Sequence, residues 1–204
     1  MKAKWMIGTV LIASLAGFSA QAAESKLDAK TAEIVKRDFQ DRGIARADRV
    51  VQDELQALCS KYHDKLPAKL KSKMEGEQAE AIKLPADDKY MGDWKAGEKL
   101  AQSGRGMTWS DKAEDPAGGN CYNCHQLSAK EIAFGTIGPS LLHYGKIRGN
   151  SLEVQRHTYG HIYNAKAFQA CANMPRFGHK AILSEAQIKD LVALLLDPES
   201  PVNK

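Results

Sequence analysis

The chain has 204 residues, with 29 lysines and arginines against 25 aspartates and glutamates, a formal charge of +4 and 43% hydrophobic residues. That length allows one core of ordinary size plus an extension. Setting aside Lys2 and Lys4, which fall in the leader described next, about +2 remains, too little for a nucleic-acid footprint, so proteins and small molecules are the expected partners.

Residues 1–22 read as a secretory signal peptide. Lys2 and Lys4 supply its charged start, residues 5–18 (WMIGTVLIASLAGF) its apolar run, and Ala20-Gln21-Ala22 its small-x-small cleavage pattern. The run falls short of the roughly 18 to 20 apolar residues that a membrane anchor needs, and no second run follows. A soluble mature protein beginning near Ala23 is expected, with no membrane contact after cleavage. In a bacterium-like setting its compartment is the periplasm, where disulfides are permitted.

Residues 23–90 read as a helical N-terminal extension and linker. From Glu24 to Lys89 there are fourteen basic and fourteen acidic residues, and apolar positions are sparse. A weak helical pattern covers roughly residues 28–41. Val51, Leu55, Leu58, Cys59 and Tyr62 then recur at helical spacing, forming one apolar stripe of an amphipathic helix that ends before Pro67. Such helices cannot bury a core alone, so they are expected to pack on the following domain or on another chain. The stretch LKSKMEGEQAEAIKLP (70–85) reads as linker or loose helix.

Residues 91–204 have a clearer skeleton. DWKAGEKLAQSG (93–104) predicts a short helix with Trp94, Gly97, Leu100 and Ala101 on one side, where Gly97 lets another backbone approach closely. A further helix is expected from Ser151 to about Phe168. In LSEAQIKDLVALLLDP (183–198), Ser184 and Gln187 form a capping-box pattern, Ile188, Leu191, Val192 and Leu195 share a face, and Pro198 closes the helix. No run reads as a strand. The expected fold is all-α, its first and last helices crossing to form the core.

The chemistry lies in GGNCYNCHQL (118–127). A zinc site needs four ligands, and no second Cys pair has suitable spacing; a thioredoxin-like dithiol needs a βαβ setting absent here. The remaining reading is c-type haem. Cys121 and Cys124 can each add to one porphyrin vinyl group, and His125 then projects its imidazole under the iron. Candidates for the sixth ligand are His143, His157, His161, His179 and Met174, of which Met174 in ACANMPRFG sits in a loop stiffened by Pro175.

CxxCH followed by GTIGPSLLHYG resembles the class I cytochrome c family. The resemblance implies that the Pro139 carbonyl receives the His125 Nδ1–H, that Gly138 and Leu141 flank it, and that Met174 is the distal ligand, with a buried core methionine as the plain alternative. With the charged helical extension, GNCYNCH, GTIGPSL and NMPRFG before a final amphipathic helix, residues 91–204 are more narrowly similar to the SoxX family, the monohaem subunits of the sulfur-oxidation cytochrome SoxAX. That implies one covalent haem c and a heterodimer with SoxA. It also implies the SoxYZ carrier as a partner reached through the complex, and a downstream electron-accepting cytochrome. The chain would be an electron-transfer subunit with no catalytic residues of its own; a freestanding electron shuttle is the rival.

Haem attachment uses two of the four cysteines. In an oxidising compartment the remaining two, Cys59 and Cys171, are expected to form a disulfide, although two independent thiols or a bond to a partner subunit would use the same residues.

Overall fold

A computed structural model of the chain describes residues 29–204, so the signal-peptide reading of residues 1–22 lies outside the described residues. Among the described residues the chain is helical, with only a lone antiparallel bridge between Arg42 and Ala45 in place of any strand. The all-α expectation holds. Helix α1 covers 29–38, α2 Glu54–Lys61, α3 Ala68–Glu80, α4 Trp94–Gln102, α5 Tyr144–Arg148, α6 Leu152–Tyr163 and α7 Glu185–Leu196.

Helices α4 and α7 cross at the centre of the core, as their facing patterns require. Gly97 makes the approach possible: a Cβ there would fall 2.7 Å from the Asp190 carbonyl carbon and 3.1 Å from Leu194 Cβ. The crossing is fixed at its edge by Gly92 N–H donating to Lys189 O at 3.0 Å and Asp93 N–H to Asp190 Oδ1 at 2.8 Å. Helix α7 starts on the expected capping box, in which Ser184 Oγ accepts from Gln187 N–H and Gln187 Oε1 accepts from Ser184 N–H. Every residue from Leu191 to Leu196 is buried, so the second half of α7 is enclosed on all sides.

Helix α6 begins where expected, with Ser151 as its N-cap, but ends at Tyr163, five residues before Phe168. Asn164 leaves helical geometry with φ −155° and ψ 86°, and its buried side chain donates to Gln78 O at 3.2 Å and Gln78 Oε1 at 3.1 Å. A tertiary contact therefore overrides the local helical pattern, and Ala165–Ala167 continue as a 3-10 turn.

The extension packs on the rest of the chain. Helix α2 opens on a capping box of Asp53 and Gln56, and its stripe buries Leu55 and Cys59 against Met74 of α3 and Ala170 of the loop after α6. Leu58 and Leu70 pack at the edge of this cluster, while Val51 stays 71% exposed. The stretch read as linker or loose helix is regular helix through Glu80, anchored by its one buried side chain, Met74. Beyond it, Lys83 O accepts from the buried Tyr159 hydroxyl at 3.3 Å, and Tyr90 stacks edge-on against Tyr159. No helix of the described residues is long and apolar enough to cross a membrane.

Candidate functional site

Residues 118–127 leave the end of α4 in a fixed path. Gly118, Gly119 and Asn120 donate in turn to the carbonyls of Arg105, Leu100 and Ser103, at 2.7, 2.9 and 3.0 Å. Gly118 must lack a side chain, since a Cβ would fall 2.5 Å from the Ser103 carbonyl carbon. Cys121–Asn123 then form a 3-10 turn, and His125 N–H closes it on Cys121 O at 2.9 Å. Neither motif cysteine is paired in a disulfide. Burial pushes the Cys121 thiol up to about 12, so it stands as a neutral sulfur in an apolar wall.

The segment after the motif runs back along it. Gly138 N–H donates to Cys124 O and Leu141 N–H to Gln126 O, both at 2.8 Å, and the Ser140 hydroxyl donates to Gln126 Oε1 at 3.0 Å. This places Pro139 O 2.7 Å from His125 Nδ1. A carbonyl only accepts, so the ring carries its proton on Nδ1 and keeps the Nε2 lone pair for a metal. Gly138 lies against the face of the same ring, where a Cβ would sit 2.5 Å from Nδ1. Leu141 tucks into the main core, and the segment is held from beyond by His143 N–H on Val202 O and by Asn203 Oδ1, which accepts from Gly145 and Lys146 N–H.

The structure thus brings Cys121, Cys124, His125, Gly138, Pro139 and Leu141 into one hydrogen-bonded unit. Met174 lies in the loop between α6 and α7, half-buried against the same core. Cys59 and Cys171 are joined, with Cα atoms 5.5 Å apart. Of the histidines, His157 and His161 face each other on α6 and both pack on the Phe168 ring. Burial holds the His161 imidazole below its usual range, helped by the charges of His157, Arg148 and His125. His179 is lowered by burial and then by Arg176 and Lys180. His143 sits left-handed at the start of α5, its Nδ1 buried without a partner.

This donor set fits haem c: two thiols free for thioether bonds, an imidazole with its tautomer fixed and Nε2 available, and a thioether-bearing loop on the same core. Ile137, 80% exposed beside Gly138, and the exposed Phe134 supply apolar surface of the kind a porphyrin face covers.

Sequence reasoning missed the side chains around the Met174 loop. Arg176, 5% exposed, pairs with the Asp53 carboxylate and donates to Gln78 Oε1 at 3.3 Å. Ala170 N–H donates to Glu75 Oε1 at 3.0 Å, and the buried Lys166 ammonium to Ala170 O at 3.2 Å. Burial lowers Lys166, with the Arg176 charge adding to it. Only Asp53 left a local signal, the Asp-x-x-Gln cap of α2.

Residues 94–197 match the family of cytochrome c. An uncharacterized lipoprotein of Aquifex aeolicus (strain VF5) is 38% identical over 155 residues, covering 75% of this chain and 73% of that protein. A match of that length exceeds the stretch from residue 94 to the C-terminus, so it reaches into the N-terminal helices. The chain belongs to the cytochrome c family, whose members carry covalently bound haem c, and it is an electron-transfer haem protein.

Proposed function

We propose that this chain is a periplasmic cytochrome c with one haem and serves as the electron-transfer subunit of a SoxAX-type complex. In such a complex, thiosulfate is joined oxidatively to a cysteine of the SoxYZ carrier on the SoxA partner, and the two electrons released pass on one at a time. The observation that carries the electron-transfer reading is the His125–Pro139 hydrogen bond inside the CxxCH unit. When bound, haem c takes up and releases one electron at its iron. Cys121 and Cys124 would hold its edge, Pro139 O fixes the plane and tautomer of His125, and the soft Met174 thioether would favour the reduced metal.

His125 and Met174 would both be taken up in holding the iron and would leave no coordination site for a substrate, so this chain's residues would bind and orient the haem rather than catalyse. The single CxxCH motif supports one haem. Export is supported by the leader-like residues 1–22 and by a relative described as a lipoprotein.

One observation favours the second reading, a freestanding electron shuttle. The apolar stripe of α2 is covered inside the chain by Met74 and Ala170, so no partner is needed to bury it. Purification of the tagged native protein from periplasm decides between them. Stoichiometric recovery of a second haem c protein that binds the sulfur carrier supports the subunit, and recovery of the chain alone supports the shuttle.

A further inference from the structure

We infer that helices α2 and α3 clamp the loop that carries Met174, which makes Asp53, Cys59, Glu75 and Gln78 positioning residues for the sixth haem ligand. The inference rests on the reading of Met174 as that ligand. Among the described residues, neither Asn173 nor Met174 makes a backbone hydrogen bond, so the place of Met174 is set by its flanks. Those flanks are tied to the extension. On the near side stand the Asn164–Gln78 bonds, the Ala170–Glu75 bond and the Cys59–Cys171 disulfide; two residues beyond Met174, Arg176 pairs with Asp53 and Gln78.

A neutral thioether is a weak ligand, and its occupancy depends on how much freedom its loop must lose to bind. A loop already held on both sides loses little. Removing the anchors leaves the iron's preference unchanged but lets the loop move, so a competing ligand displaces Met174 more easily. This gives the extension a task within its own chain.

The test is imidazole titration of the ferric holoprotein, read through loss of the sulfur-to-iron charge-transfer band. The double substitution Cys59→Ala with Cys171→Ala is expected to tighten apparent imidazole binding about tenfold or more, since it frees a long loop. Glu75→Ala is expected to tighten it by roughly threefold, the scale of one modest hydrogen bond. Glu75→Gln, which keeps an acceptor for Ala170 N–H, should restore the original affinity.

Unmoved affinities in proteins of normal helix content and haem stoichiometry overturn the clamp while leaving Met174 as ligand. Should the double variant not fold, the Glu75 pair decides alone: equal affinity for the alanine and glutamine variants refutes the inference. Absence of the charge-transfer band from the unaltered ferric protein overturns the methionine reading and the clamp together.

Discussion

Replacing Asp53 with asparagine isolates the charge that holds Arg176. Asparagine caps helices as well as aspartate, so the bond now made by Gln56 N–H to Asp53 Oδ1 at 3.0 Å is kept and only the carboxylate is lost. Stripping one partner from a fully buried ion pair costs about 3 to 5 kcal/mol. Here the Arg176 side chain is 5% exposed but that of Asp53 is 32% exposed, and Gln78 Oε1 still accepts from Arg176, so about 2 kcal/mol is expected. For a chain of this size that is a fall in Tm of about 4 to 8 °C.

Burial alone would raise the Asp53 carboxyl; the hydrogen bond from Arg176, the Gln56 N–H and the charges of Arg176 and Lys180 outweigh it and hold the group below 3.8. A depressed carboxyl stabilises the fold above its unfolded pKa, and that stabilisation disappears as pH falls through the folded value. Calorimetry of the holoprotein and of Asp53→Asn should therefore show a constant gap between pH 7 and about 5 that narrows below about pH 4. Equal Tm values at pH 7, or a gap that persists undiminished in acid, would refute this account of Arg176.

Met174→Ala should abolish the sulfur-to-iron charge-transfer band of the ferric protein and lower its reduction potential; a band that survives removes Met174 from the iron. Gly138→Ala places a Cβ 2.5 Å from His125 Nδ1, so the ring must turn away from Pro139 O. Denaturant unfolding should show a loss of about 1 to 3 kcal/mol, and electron paramagnetic resonance of the ferric haem a changed axial imidazole; unchanged spectra would show that the ring does not lie where the structure puts it.

What the sequence reveals follows from the range of the interaction. The Ser184–Gln187 box, the stripe of α7 and the role of Gly97 are each written within a few neighbouring residues, so a short window of sequence is enough to read them. The CxxCH unit is equally local, and its junction with Gly138-Pro139 is carried by a family resemblance rather than by spacing. The pairing of Arg176 with Asp53 spans 123 residues and has no periodic trace. Helix α3 is hard to read because its charged faces carry one buried side chain, Met74, whose partners lie on α2 and in the loop after α6. The end of α6 is misplaced for the same reason: Asn164 stops the helix by bonding to Gln78, a residue that no local window contains.

These long-range ties change what the division near residue 90 means. Composition shifts there, from balanced charge to glycine and aromatics, but packing does not. The Leu55–Cys59–Met74 cluster closes over Ala170, Gln78 stops α6, and Lys83 takes the buried Tyr159 hydroxyl. The family match at 94–197 covers both the CxxCH unit and the Met174 loop, while the longer match to the Aquifex protein takes in part of the N-terminal segment packed against that region. Among the described residues Asn173 and Met174 make no backbone hydrogen bond, so the position of this stretch is set by its flanks, which the N-terminal helices hold through Glu75, Cys59 and Asp53.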